Sequence, residues 1–199
     1  MATLASDSFD RANNTSIGSD WTEVVGTWDI TSNLLVLTTH GASDDVATWD
    51  TALNASPAAD YDVTSTFNIT TTGGQHMGGR YTDASNWYRA RISTVSQYLR
   101  LEKNVAGSKT TLGQYNGGQS ITTNYVIKLS MVGSAIKVFQ DTVERISVSD
   151  SDITATGKPF CGADSSGKTF NDFLVEGTEA SVGGISRNIF MTTSKFFGS

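Results

Sequence analysis

Short runs in which apolar and polar residues alternate recur along most of the chain. The clearest covers residues 61–70, where odd positions carry Tyr, Val, Ser, Phe and Ile and even positions carry Asp, Thr or Asn. A period of two is that of a β-strand, because successive side chains point to opposite faces of a sheet. The run therefore predicts an antiparallel strand with one buried face and one solvated face.

The same reasoning predicts a series of further strands. An entry strand is expected around residues 7–10. Further strands are expected at 34–37, 46–49, 87–92, 98–103, 125–131, 135–140, 143–148 and 169–175. Turn signals at 133–134 and 141–142 join the strands on either side. With about a dozen short strands and no amphipathic helix pattern, the chain is expected to be all-β and to form an antiparallel β-sandwich.

Residues 7–30 are expected to form the N-terminal part of this sandwich. They contain a strand signal, a polar loop up to Gly18, and then Trp21 and Trp28 in otherwise polar sequence. Indole rings usually bury most of their large surface. We therefore expect the two tryptophans to close one end of the core.

Charge and composition limit the partners. The net charge is −6, whereas a nucleic-acid surface needs clustered Lys and Arg, so nucleic acid is not an expected partner. No apolar stretch approaches the ~20 residues that cross a bilayer, so no membrane span is expected. The first ten residues lack the features of a signal peptide. Cys161 is the single cysteine, so an intrachain disulfide and a cysteine-rich metal site are excluded.

A set of segments, taken in order, resembles concanavalin A-like jelly rolls of the laminin-G-like type across residues 7–176. The segments are FDR, GSDW, GTWDI, DYDVTSTFNI, GGRYTDASNWYRARI, YLRLEKN, NYVIKLSMVGSAIKVFQDTVERI and KTFNDFLVE. The resemblance implies two curved antiparallel sheets, neighbouring first and last strands, and a concave face used for glycans or protein partners. We accordingly expect a concanavalin A-like jelly-roll domain at residues 1–176 and a short C-terminal extension at 177–199.

The resemblance also bears on catalysis. Glycosidases with this fold carry their carboxylates as E-x-D-x-x-E on one strand, since retaining hydrolysis needs a nucleophile and an acid about 5 Å apart. None of the glutamates Glu23, Glu102, Glu144, Glu176 and Glu179 has this spacing. A glycan hydrolase therefore stays only a second alternative.

Other reactive side chains also lack a catalytic context. No G-x-S-x-G motif accompanies His40 or His76, so each is expected to be a loop or surface residue. Cys161 lies between Phe160 and Gly162, which is typical of a buried structural thiol. The glycine-rich segment 73–79 leads into a strand rather than a helix, so phosphate binding is not expected. We predict no catalytic residue.

One metal site is a candidate. Domains of the resembled type often bind a structural calcium, and neighbouring first and last strands would bring together Asp7, Asp10, Asn171 and Asp172 as oxygen ligands. The alternative is that these are solvated residues at strand edges, where they discourage edge pairing. No other cofactor is expected.

A glycan platform is a second candidate. Trp87, Arg89 and Arg91 share one face of a predicted strand, and Tyr98 and Arg100 share a face of the next. Aromatic rings would offer stacking surfaces, and guanidinium groups would offer donors to hydroxyls or carboxylates. The alternative is a solvated face on which Arg89 or Arg100 pairs with Glu102.

A third candidate is assembly through the C-terminal extension. Its end carries a group of large apolar residues: Ile189, Phe190, Met191, Phe196 and Phe197. An apolar terminus of this kind normally needs a surface that covers it. Either a neighbouring subunit or the chain's own sandwich could supply that surface.

The leading functional hypothesis is a non-enzymatic virion structural protein, either a capsid-decoration or a tail-associated component. It follows from the resemblance, because such domains without a signal peptide or an attached enzyme are often phage virion components. The expected partners are virion subunits or further copies of the chain, and the expected location is the virion, or otherwise solution. A carbohydrate-binding module that uses the Trp87 to Arg100 face is the first alternative.

Overall fold

The computed structural model describes residues 2–41, 44–51 and 59–177. These residues form strands and loops, with no helix among them. The strands are β1 (Ala2–Asp7), β2 (Trp21–Val25), β3 (Thr27–Thr31), β4 (Leu34–Thr39), β5 (Asp45–Trp49), β6 (Tyr61–Ile69), β7 (Gly74–Asp83), β8 (Asn86–Ser93), β9 (Tyr98–Val105), β10 (Ser108–Tyr115), β11 (Thr123–Val132), β12 (Ala135–Gln140), β13 (Val143–Ser149), β14 (Lys158–Ala163) and β15 (Thr169–Gly177).

The strands form two antiparallel sheets that pack as a sandwich. The eight-stranded sheet has the order β13-β12-β11-β6-β15-β4-β3, and β1 also pairs with β15. The seven-stranded sheet has the order β10-β9-β8-β7-β14-β5-β2. The predicted antiparallel β-sandwich is confirmed. Within the described residues, no helix is long and apolar enough to cross a membrane.

The core lies between the sheets, and the alternating runs supply it. In β6 the odd-numbered residues from Tyr61 to Ile69 are all buried, while Thr64 and Thr66 are partly exposed. The predicted hairpins β11–β12 and β12–β13 are present, with Leu129 opposite Val138. Each large aliphatic or aromatic side chain that is fully buried contributes roughly 1.5–3 kcal/mol to folding.

The first and last strands are neighbours, as predicted. β1 pairs with β15, and Asp7 lies opposite Phe173. The Trp21 ring packs 5.7 Å from the Phe9 ring and 4.7 Å from the Phe173 ring. Trp21 and Trp28 are both buried, so both rings enter the core as expected, whereas their closing one end of it stays a prediction.

The extent of the entry strand was predicted wrongly. β1 begins at Ala2 and ends at Asp7, so Asp10 lies in the following loop. The chain turns because Phe9 has a positive φ of 55°, and the Phe9 amide donates a 2.8 Å hydrogen bond to Asp7 Oδ1.

The glycine-rich segment 73–79 is mostly strand rather than a loop before one. Gly78 lies in β7, where an added Cβ would stand 2.2 Å from the Tyr88 carbonyl oxygen and 2.3 Å from the Phe160 ring. Only glycine fits there, because Phe160 of β14 packs directly against the backbone of β7. β10 and β14 were not predicted either.

A buried arginine ties three loops together at one end of the sandwich. Arg80 is fully buried, and its guanidinium donates to the carbonyl oxygens of Ala59 at 2.8 Å, Ile153 at 2.7 Å and Gly133 at 2.9 Å. Arg80 therefore stabilises the connections that precede β6, join β11 to β12, and precede β14.

The C-terminal extension lies outside the described residues, apart from Gly177 at the end of β15. The assembly residues Ile189, Phe190, Met191, Phe196 and Phe197 fall in this part of the chain. Their predicted role and the domain boundary at residue 176 stay predictions.

Candidate functional site

The five residues of the predicted glycan platform lie on one face of two neighbouring strands. β8 and β9 pair so that Arg89 is opposite Glu102 and Arg91 is opposite Arg100. The intervening residues, including Tyr88 and Leu101, point into the core. All five predicted side chains therefore lie on the face turned away from the core, which we call the outer face of the seven-stranded sheet.

Trp87 lies in a small apolar cluster on this outer face. It packs with Val46, Tyr81 and Phe160, and only 4% of its surface is exposed. The Arg89 guanidinium lies 4.5 Å from the centre of the indole. The ring is thus covered by protein and does not form the open stacking surface that the sequence suggested.

Arg89 is held by two carboxylates. Its Nε donates to Glu102 Oε2 at 2.8 Å, and its Nη1 pairs with Asp44. Lys109 of β10 pairs with Asp44 as well. Burial tends to raise the pKa of Asp44, but the charges and hydrogen bonds of Arg89 and Lys109 outweigh burial and lower that pKa. Asp44 therefore joins two strands of the sheet, β8 and β10, to the loop before β5 as a charged group.

Arg91 and Arg100 both lie against Tyr98. The centre of the Tyr98 ring is 5.5 Å from the Arg91 guanidinium and 3.8 Å from that of Arg100. Arg91 also binds the Tyr98 hydroxyl and Asp164, while Arg100 Nε donates to Gln114. Among the described residues, the carboxylate oxygen nearest to Arg100 is that of Glu102, at 3.9 Å.

The Tyr98 ring, like that of Trp87, packs against arginine guanidinium groups. Tyr98 is only 6% exposed, whereas the side chains of Arg91 and Arg100 are 16% and 32% exposed. The groups that reach solvent are therefore guanidinium edges and not aromatic faces. The Arg89–Glu102 ion pair of the alternative interpretation is present on the same face.

His76 was expected in a loop or at the surface, and this expectation was wrong. It lies within β7, directly opposite Arg91 and Gly162, and is fully buried. Neither ring nitrogen has a hydrogen-bond partner among the described residues. Burial, and then the positive charges of Arg89, Arg91 and Lys109, lower the pKa of His76 well below 6.5, so the imidazole is neutral.

His40 and Cys161 agree with their predicted environments. His40 lies in the loop between β4 and β5, is partly exposed, and pairs with Asp45. Cys161 is completely buried on the core side of β14. Burial raises the pKa of its thiol well above 9.0, which is typical of an unreactive structural cysteine.

Of the four residues predicted to bind calcium, Asp7 and Asp172 line the same pocket, and the calcium site itself stays a prediction. Both carboxylate oxygens of Asp7 are engaged by Arg11, and they also accept from the Phe9 amide and Trp21 Nε1. Asp10 lies beyond β1, and Asp172 is exposed at a bulge of β15 with a φ of 51°. Within the described residues, no group of three or more His, Cys, Asp or Glu side chains could hold a metal ion.

Comparison with known proteins identifies the fold. No protein-family model and no curated protein matches the sequence. The carbohydrate-binding module CBM66 from Bacillus subtilis superposes with a TM-score of 0.69 and 21% identity, covering 79% of this chain and 95% of that chain. The chain has the jelly-roll fold of lectins and carbohydrate-binding modules.

Two further solved structures support this assignment. The carbohydrate recognition domain of Emp46p gives a TM-score of 0.62 at 12% identity, covering 87% of this chain and 95% of that chain. The exoplasmic/lumenal domain of VIP36, in its Ca2+/Man-bound form, gives 0.60 at 12% identity, with 83% and 86% covered. Identities this low establish the fold and not the function. They give no support to the virion hypothesis.

Proposed function

We propose that this protein is a non-enzymatic carbohydrate-binding module that binds its ligand on the outer face of the seven-stranded sheet. The observation that carries the proposal is the layer of planar polar groups on β8 and β9. In this layer Arg89, Arg91 and Arg100 are each held against an aromatic ring.

This layer suits the chemistry of sugars. A guanidinium only donates hydrogen bonds and a carboxylate only accepts them, whereas a sugar hydroxyl does both. The layer offers both kinds of group side by side, because the partly exposed Asp164 lies beside Arg91. Since the aromatic rings and ion pairs already fix the arginines, less conformational entropy is lost on binding.

The carboxylates of the face are poorly suited to glycoside hydrolysis. A general acid in such an enzyme needs a raised pKa so that it carries a proton near neutral pH. Asp44 has a lowered pKa because of Arg89 and Lys109, and Glu102 is bound to Arg89 at 2.8 Å. These contacts favour binding over catalysis.

The fold adds support of a more general kind. The similar structures named above include a carbohydrate-binding module and a carbohydrate recognition domain. The geometry of the outer face is the more specific argument, since it belongs to this chain's own residues.

A glycan array followed by calorimetry on the best ligand tests the proposal. We expect the double variant Arg91→Gln, Arg100→Gln to bind that ligand roughly 10- to 100-fold more weakly, which corresponds to about 1.4–2.7 kcal/mol. Lys137→Gln is the matched control, because Lys137 is an exposed cation on β12 that pairs with Glu144. Wild-type affinity in the double variant, or an equal loss in the control, would contradict the proposed site.

A further inference from the structure

Two arginines face each other across β8 and β9 on the outer face. Arg91 and Arg100 are directly opposite in the strand register, and both guanidinium groups lie against the Tyr98 ring. Like charges at directly opposite positions destabilise a sheet. Carboxylates close to the two guanidinium groups would offset this repulsion, so their positions indicate which arginine still lacks an anionic partner.

The carboxylates are distributed unequally. Asp164 binds Arg91, whereas Arg100 has no carboxylate within hydrogen-bond distance among the described residues. Its closest one, Glu102, is 3.9 Å away and already accepts a 2.8 Å hydrogen bond from Arg89. Arg100 Nε donates to Gln114, and no hydrogen bond joins its two Nη groups to the part of the chain that the structure describes.

Arg100 is also held in place before any ligand binds. Its guanidinium stacks 3.8 Å from the Tyr98 ring centre, and Gln114 fixes its Nε edge. The side chain is still 32% exposed, so its Nη edge is accessible. A fixed guanidinium of this kind is suited to bidentate binding of a carboxylate.

The charge balance of the face indicates how much negative charge a ligand should carry. Four cations lie here, namely Arg89, Arg91, Arg100 and Lys109, against the carboxylates of Asp44, Glu102 and Asp164. One positive charge is left over, because His76 is neutral. The whole chain has a net charge of −6, which disfavours a densely charged polyanion.

We propose that Arg100 makes this face selective for glycans that carry an isolated carboxylate, such as those containing a hexuronic acid. The ligand carboxylate binds the Nη edge of Arg100 and lies between Arg100 and Arg91, where it relieves their repulsion. Neighbouring hydroxyls of the same sugar bind Arg91 and Asp164. This inference rests on the proposed glycan-binding function and specifies its ligand class.

Paired ligands test this inference. Trisaccharides of galacturonic, glucuronic and mannuronic acid are titrated by calorimetry, each beside its carboxyl-reduced counterpart. The wild-type protein should bind at least one acid trisaccharide about tenfold or more tightly than the reduced form, a difference of about 1.4 kcal/mol. Arg100→Gln should abolish that preference. Arg100→Lys should keep only part of it, because a lysine lacks the planar fork.

Arg145→Gln provides the control. Arg145 stacks 4.5 Å from the Tyr115 ring at the neighbouring sheet edge, so its loss should leave the preference for acid sugars intact. Equal affinity for the acid and reduced forms overturns the inference, as does a preference that survives Arg100→Gln. If neutral glycans bind with no preference for acids, only this inference fails. If no glycan binds at all, the proposed function fails with it.

Discussion

His76 should make the protein less stable in weak acid. It is fully buried, and the positively charged Arg89, Arg91 and Lys109 act on it from β8 and β10. Its folded-state pKa therefore lies well below 6.5, its ordinary value. A group with a depressed folded-state pKa of this kind favours the folded state at higher pH, and that contribution is lost as the pH falls below 6.5.

The size of this effect follows from linkage. Each pH unit between the unfolded and folded pKa values changes the free energy of unfolding by about 1.4 kcal/mol. Between pH 7.5 and pH 5 the loss is at most about 2 kcal/mol, because protonation of the unfolded state begins only near the ordinary pKa of 6.5. Asp44 should not contribute in this window, because its pKa is lowered from an ordinary value of 3.8.

Urea unfolding, followed by tryptophan fluorescence at several pH values, measures this loss. The variant His76→Leu removes the titrating group, and its free energy of unfolding should vary less with pH between 7.5 and 5 by up to the same ~2 kcal/mol. The comparison uses the slopes of the free energy of unfolding against pH, so any pH-independent loss of stability caused by the substitution cancels. Parallel pH profiles for the two proteins would refute the argument.

Three further predictions concern stability and reactivity. Arg80→Met should reduce the free energy of unfolding by about 3–5 kcal/mol, because it leaves three loop carbonyls without donors. Urea unfolding measures this change. Arg145→Met is the control, and its free energy of unfolding should stay within about 0.5 kcal/mol of the wild-type value. Gly78→Ala should cost about 1–3 kcal/mol in the same assay, since the added methyl group overlaps the Phe160 ring, and wild-type stability would exclude this tight packing. Cys161 should resist thiol reagents in the folded protein and react only on unfolding, because it is fully buried, whereas rapid labelling of the native state would contradict its burial.

The strand that the sequence predicted most clearly, β6, has two faces that meet different environments. Its odd-numbered residues enter the core, whereas Thr64, Thr66 and Asn68 are partly exposed. β14 was missed because both of its faces are covered: Cys161 points into the core while Phe160 packs in the outer cluster. β10 was missed for the opposite reason, since most of its residues are exposed and its position depends on backbone pairing with β9.

The candidate site could be predicted only in part, for a related reason. The period of two correctly placed Trp87, Arg89 and Arg91 on one face, because that is a local property. The residues that cover and neutralise this face come from distant parts of the chain, such as Asp44 against Arg89 and Asp164 against Arg91. No local pattern contains those contacts. The same limit applies to His76, because the residues that bury it, such as Phe160, come from a distant strand.

We propose above that the outer face of the seven-stranded sheet binds a glycan. The most direct measurement is an NMR titration of isotope-labelled protein with the strongest ligand from the array, following backbone amides and arginine Nε–H signals. We expect shift changes centred on β8 and β9, with those of Arg91 and Arg100 among the largest. Shift changes confined to the eight-stranded sheet, or no change at saturating ligand, would contradict it.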